Sequence, residues 1–306
     1  MGKASRLAFG EALARLGGEH PEVVVLDADL SKSTMTDLFA KKYPERFFEM
    51  GIAEGNMVGV AAGMALAGKV PFCCSFACFV AGRFEQIRMS VGYNRSNLRI
   101  VGTHAGIGIG EDGYSQMATE DIACMRSLPN MAVVQPGDAV ETERAVEYLV
   151  RHRGPVFLRL TRQKLEDVNP PDYRFEFGRG VILREGGDVT LVATGGVVWE
   201  ALKAAEALGA KGVAARVVNI HTIKPLDEDV ILESARRTRG IVTVEDHGIH
   251  GGLGGAVAEA AAQAGAGPVR RIGVRDFAES GDPAGLYRKY GLSADHIVAE
   301  AEKLLR

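Results

Sequence analysis

The chain has 306 residues, 46% apolar and 25% charged, which is enough to build two domains of ordinary globular composition. A formal net charge of −3 excludes the basic balance of a nucleic-acid or membrane-surface binder. No apolar run reaches the ~18 residues that cross a bilayer, and the N-terminal MGKASRLAFG lacks the apolar core of a signal peptide, so a cytoplasmic protein is expected. Cys73, Cys74, Cys78 and Cys124 offer neither paired zinc-ligand spacing nor a disulfide framework, so free thiols and no metal site are expected.

In chain order, Leu7, Ala8, Leu13 and Leu16 fall at helical spacing and predict an amphipathic helix over 5–16. VVVLDAD (23–29) is a continuous apolar run ending in acids, as in a buried parallel strand with polar groups at its C-terminal end. An Ala/Gly/Met helix follows over 54–67. PFCCSFACFV (71–80) starts as a strand and runs toward a helix holding Phe84, Ile87 and Met89. LRIVGTHAG (98–106) reads as a strand leading into the glycine-rich GIGIGEDG (106–113). MAVVQPGD (131–138) and PVFLRLTR (155–162) read as strands around a helix at 139–152.

Composition changes at QKLEDVNPPDYRF (163–175), whose prolines and charges suit a linker. The alternation then restarts. Strands are expected at 188–195, 212–220, 239–247 and 269–274, with helices at 197–208, 253–264 and within 284–305. Alternating strands and helices imply parallel sheets covered on both faces. The expected architecture is therefore α/β, two doubly wound domains at about 1–165 and 176–306.

Three segments and three scattered residues carry possible chemistry. In FFEMGIAEGNMVGVAAGMALAG (47–68), Glu54 follows a glycine turn and opens a helix, where the helix dipole alone would favour an acid. In CSFACFVAGRFEQIRM (74–89), Phe76 and Phe79 lie three apart; core packing is the usual fate of such a pair. In THAGIGIGEDGYSQMATED (103–121), His104 stands at a strand's C-terminal end, where ligands bind in open α/β sheets. A dinucleotide fingerprint is excluded there, because the G-x-G-x-x-G spacing at 108–113 is not followed by a helix and a later ribose-binding acid. Arg6, Ser33 and Arg162 would read singly as solvated surface residues.

Together these segments resemble the transketolase family over about 4–306. GIAEGNM resembles its GIAEQNM motif, CSFACFVAGRFEQIRM its PFCSTFAAFFTRAFDQIRM, and THAGIGIGEDGYSQM its SHCGVSIGEDGPSQM. ASRLAFGEAL, DADLSKST and LTRQ resemble ATRKAYGQAL, DGDTKNST and the SRQ segment. NIHTIKPLD (219–227) and TVEDHGIHGGLGGAVAE (243–259) are similar to patterns of the family's C-terminal domain.

The resemblance implies thiamine diphosphate, which supplies an electron sink that the side chains lack. It implies that Glu54 bonds the aminopyrimidine and acts as the catalytic carboxyl. Phe79 would stack on that ring and Phe76 line the same pocket, with Gln116 facing the cofactor and Asp29 beside it. Arg6, Ser33, His104, Asp112 and Arg162 would hold a sugar phosphate; the planar fork of arginine suits phosphate oxygens. Gln116 stands where many members have His, so that histidine's roles do not transfer. Tyr114 replaces a common Pro. His247 and His250 are expected to be structural or interface residues.

The family's diphosphate-binding domain, with its GDG motif and magnesium, has no counterpart here: GDG does not occur in the sequence. The expectation is thus the C-terminal subunit of a split transketolase. It would need an N-terminal partner subunit, form a heterotetramer, and keep a homodimer contact of its own. Competing readings are a split 1-deoxyxylulose-phosphate synthase and the β subunit of a 2-oxo acid dehydrogenase. The latter should lack the phosphate set, because its substrate carries none. A non-catalytic interaction protein is the reading from a different class.

Overall fold

The computed structural model describes residues 2–306. Its strands in chain order are β1 (Val23–Asp27), β2 (Phe47–Glu49), β3 (Val70–Phe76), β4 (Arg99–Thr103), β5 (Ala132–Val134) and β6 (Val156–Arg159), then β7 (Val181–Arg184), β8 (Val189–Ala193), β9 (Ala215–Asn219), β10 (Thr222–Lys224), β11 (Ile241–Gly248) and β12 (Val269–Val274). They form a seven-stranded sheet in the order β10-β5-β6-β4-β3-β1-β2 and a five-stranded sheet in the order β12-β11-β8-β9-β7. Within each sheet the central strands are parallel and buried along their whole length, as the continuous apolar runs require.

Two edges depart from the all-parallel expectation. β7 pairs antiparallel with β9, and its alternating burial marks a strand with one wet face. β10 lies after the linker in sequence but pairs antiparallel with β5 of the first sheet, Thr222 opposite Val134. Sequence patterning does not find β2, β7 or β10, because three or four residues are too few to show a period.

Helices cover both faces. Ser5–Leu16 and Ala139–Arg151 pack on one side of the first sheet through Phe9, Leu13, Val146 and Leu149. Glu54–Leu66 packs on the other through Met57, Val58 and Ala61. The same apolar cluster continues through Ile220 and Ile223 to Val192, Val218 and Ile241 of the second sheet. The two sheets thus share buried apolar surface at their junction.

After β3, three short helical pieces replace the single helix that the sequence suggests: Ala77–Ala81, Phe84–Gln86 and a wide π-type stretch Ile87–Tyr93. The Ser96 amide bonds the Val91 carbonyl five residues back, and its hydroxyl takes the Ser90 carbonyl, which closes the wide turn. The expected helical material at 284–305 divides into Pro283–Lys289 and Ala294–Leu305.

This order places the chemistry. β6, β4, β3 and β1 are neighbours. The segments leaving their C-terminal ends carry Arg162, His104, Phe79, and Asp29 with Ser33. An open parallel sheet presents its ligand crevice along that edge.

Candidate active site

Arg6 and Ser33 meet His104 over β1, β3 and β4. A terminal nitrogen of Arg6 donates to the Ser33 carbonyl at 2.6 Å and to Nε2 of His104 at 3.3 Å. Because Arg6 can only donate, Nε2 must accept, and the proton of a neutral His104 sits on Nδ1. There it reaches Thr103 Oγ1 at 2.9 Å, which in turn donates to the Ser75 carbonyl at 3.4 Å. Burial, then Arg6 and Arg162, hold the imidazole down to about 3. His104 is therefore a neutral acceptor beside two cations. It is buried in a left-handed conformation at φ 57°, strained backbone for a residue with a side chain.

Arg6 is half-buried. Burial and the charge of Arg162 lower its affinity for a proton, and Asp112 opposes them. Its Nε is buried without a hydrogen-bond partner. Arg162 donates to the Ile109 carbonyl at 2.8 Å and to the Glu111 carboxylate at 2.7 Å. Two guanidiniums that repel each other around a neutral imidazole form a receptor for an anion with several oxygens.

On the neighbouring side, Phe76 lies between two rings. It stacks on His104 at 3.7 Å between centroids and on Phe79 at 5.6 Å, with the phenyl planes 6° apart. Phe79 is half-buried, an aromatic surface of the kind on which planar rings stack. Glu54 opens its helix and is buried, yet its carboxylate accepts one long hydrogen bond, 3.5 Å from Ser75 Oγ. A buried carboxylate with spare acceptor capacity fits the ring nitrogen of an aminopyrimidine.

The structure thus gathers Arg6, Ser33, His104 and Arg162 with Asp112 within electrostatic reach, and stacks Phe76 on His104 with Phe79 on Phe76. Asp29 and Gln116 stay at the margin. Asp29 is exposed at φ 64° and its amide donates to Glu49 at 2.6 Å; Gln116 bonds Ser115 at 3.4 Å. His247 is buried and held down to about 4 by burial; Nδ1 donates to the Gly248 carbonyl at 2.7 Å.

Two carboxylates escape the sequence reading. Asp27 accepts from Thr34 and Thr36 hydroxyls at 2.6 and 2.8 Å and from the Leu30 amide at 2.8 Å, anchoring the turn that carries Ser33. Burial pushes it up to about 6. The acids that end VVVLDAD were the available signal. Asp246, from β11, accepts from the Ile107 and Gly108 amides at 2.7 and 3.1 Å and so holds the glycine-rich loop from the other domain. No local pattern announces it.

An open α/β sheet with an anion receptor, a buried carboxylate and a phenylalanine pair suits a cofactor-dependent group-transfer enzyme. The transketolase pyrimidine binding domain matches residues 2–167 and the transketolase C-terminal domain residues 178–297. This chain belongs to the transketolase family. It is 47% identical over 300 residues to a Methanocaldococcus jannaschii protein provisionally named a transketolase C-terminal section, covering 96% of this chain and 94% of that one. A 6-deoxy-6-sulfo-D-fructose transketolase subunit of a Clostridium species is 40% identical over 301 residues, covering 98% and 94%. Among solved structures, a split gene transketolase described as an inactive β4 tetramer superposes with a TM-score of 0.93 at 50% identity, covering 99% of both chains. The chain spans about half the length of the curated mammalian transketolases that it also matches.

Proposed function

We propose that this chain is the C-terminal subunit of a split transketolase, moving a two-carbon ketol unit between sugar phosphates. The observation that carries this is that the Arg6–His104–Arg162 receptor and buried Glu54 meet at Ser75, whose carbonyl accepts from Thr103 beside His104 and whose hydroxyl donates to Glu54. When bound, thiamine diphosphate would supply the electron sink for breaking and making the carbon–carbon bond. Glu54 holds the aminopyrimidine through its ring nitrogen and Phe79 stacks on its face. Arg6, Ser33 and Arg162 grip the sugar's anionic end. His104 stays neutral, and its Nε2 accepts from a substrate hydroxyl in place of the long 3.3 Å bond from Arg6. Asp112 reads a second hydroxyl, while Gln116 and Asp29 border the cofactor.

Magnesium and the diphosphate are assigned to a partner subunit. Ile52, Leu66 and Tyr93 are 83%, 71% and 77% exposed, and Met89 also faces outward. These apolar side chains lie on and beside the Glu54 helix and the wide turn. Such a surface supports an assembly in which the pyrimidine side is covered by another subunit and by a second copy of this chain, giving two of each. The Clostridium relative's name adds a second donor class, since a sulfonate would meet the same arginines as a phosphate.

The test is ketol transfer from xylulose 5-phosphate to ribose 5-phosphate, by this chain with and without a subunit carrying the diphosphate-binding domain. A sulfonated ketose donor forms a parallel arm. Turnover only in the mixture is the expected result. Turnover by this chain alone would overturn the split-subunit reading, and preference for the sulfonated donor would replace the phosphate assignment.

A further inference from the structure

The glycine-rich loop between His104 and Gln116 makes short turn bonds of its own, such as Gly110 to Ile107, and is tied down further from the second domain. Its first half crosses the domain junction to Asp246: Oδ1 accepts from the Ile107 amide at 2.7 Å and Oδ2 from the Gly108 amide at 3.1 Å. Tyr287 donates to Oδ2 at 2.8 Å and accepts from Gln163 at 3.0 Å, one residue past Arg162. Asp246 is nearly fully buried, as are Ile107 and Gly108. Gly106 sits at φ 77°, and a Cβ placed there would lie 2.3 Å from the Asp246 carboxylate. Only glycine therefore lets the carboxylate approach. The loop's middle is held twice more. Ser280 Oγ, also from the second domain, donates to the Glu111 carbonyl, and the Ile109 carbonyl and Glu111 carboxylate fix Arg162.

We propose that Asp246 is a positioning residue for the anion end of the substrate, acting through the loop on Arg162. Its carboxylate fixes two successive amides; these fix the Ile109 carbonyl; that carbonyl and Glu111 set the direction of the Arg162 fork. Bidentate recognition of an anion depends on that direction. The second domain thereby sets substrate affinity without touching substrate. The kinetic part of this inference rests on the transketolase reading above; the structural part does not.

Asp246→Asn keeps size and burial but offers one acceptor where two amides and a hydroxyl now converge. Tyr287→Phe is the milder variant and removes one bond to the same oxygen. The main-chain carbonyl of Asp246, which accepts from Arg159 at 3.0 Å, is untouched by either.

Hydrogen exchange on the intact chain is the first measurement. The Ile107 and Gly108 amides should exchange about tenfold faster in Asp246→Asn, while β4 and β11 keep wild-type protection. Kinetics of the assembled enzyme is the second. The KM for a phosphorylated donor should rise about tenfold with kcat within about threefold, and the KM for hydroxypyruvate, which has no phosphate, should stay near wild type. Tyr287→Phe should shift both readouts in the same direction by less. Unchanged exchange at Ile107 and Gly108 would overturn the proposal. So would equal losses on both donors accompanied by a lower melting temperature, the pattern of general destabilisation. If the wild-type assembly transfers no ketol from any donor, the functional reading fails, and exchange alone decides whether Asp246 holds the loop.

Discussion

On the anion side of the site, Arg6, His104 and Arg162 are each tied to another element, and Asp246 and Ser280 brace the loop between them from the second domain. On the pyrimidine side, buried Glu54 accepts one long hydrogen bond, Phe79 is half-buried, and Ile52, two residues before Glu54, is exposed. One side is largely finished by contacts within the chain, with the buried Nε of Arg6 still unpaired, while the other holds functional groups with unused bonding capacity. Geometry built inside one chain is available before any assembly. Under the proposed function, geometry that needs a cofactor and a second subunit is set only when they arrive, and the chemistry is tied to assembly.

The sharpest way to break this contrast is Glu54→Gln in the assembled enzyme. A glutamine keeps the shape and the Ser75 contact but supplies no carboxyl to the ring nitrogen. The expected loss in kcat is at least about 100-fold, with the fold intact by circular dichroism. Turnover close to wild type would remove Glu54 from the chemistry.

Arg6→Ala and Arg162→Ala probe the finished side. Each removes a charge-assisted contact of about 1.5–3 kcal/mol, so the KM for phosphorylated sugars should rise roughly 10- to 150-fold. Hydroxypyruvate should respond far less, and equal responses would show that these arginines do not read the anion. Direct binding of inorganic phosphate to the chain without partner sharpens the point. A finished receptor should bind it before assembly, and either substitution should weaken that binding.

The smallest effect concerns protons. His104 titrates at about 3 when folded, against 6.5 for an imidazole free in water. Between those values the unfolded chain takes up a proton that the folded chain refuses, so the stability contributed by neutral His104 is complete above about pH 6.5 and falls as the solution is acidified. His104→Gln removes that dependence. Relative to the variant, the wild type should lose on the order of 1–2 kcal/mol between pH 7 and pH 5, read by denaturant unfolding at each pH. Buried Glu141 and Glu245, pushed up to about 7, act in the opposite direction but are common to both proteins and cancel in the difference.

Much of the sheet core was legible because parallel strands buried on both faces must be apolar throughout, as VVVLDAD and DVTLVATG are. Arg6, Ser33, His104 and Arg162 could be grouped only by resemblance, since they come from four separate segments and no spacing rule joins them. The structure supplies the physical link through Arg6 and the electrostatics of the two arginines. Asp246 and Tyr287 were not legible, because their meaning lies in amides more than a hundred residues away. The wide turn at Ile87–Tyr93 escaped as well. It is defined by backbone bonds that reach five residues back, which hydrophobic patterning cannot register.

The antiparallel pairing of β10 with β5 has a consequence for synthesis. Thr222 emerges from the ribosome roughly 90 residues after Val134, so at ordinary elongation rates the nascent first sheet waits on the order of ten seconds with its β5 edge unpaired. Exposed edges recruit other strands. A chain cut within the 163–175 segment would keep that edge open permanently. Fragments that look like a tidy domain by sequence should therefore self-associate, and the first sheet is finished only when residues from beyond the linker dock onto it.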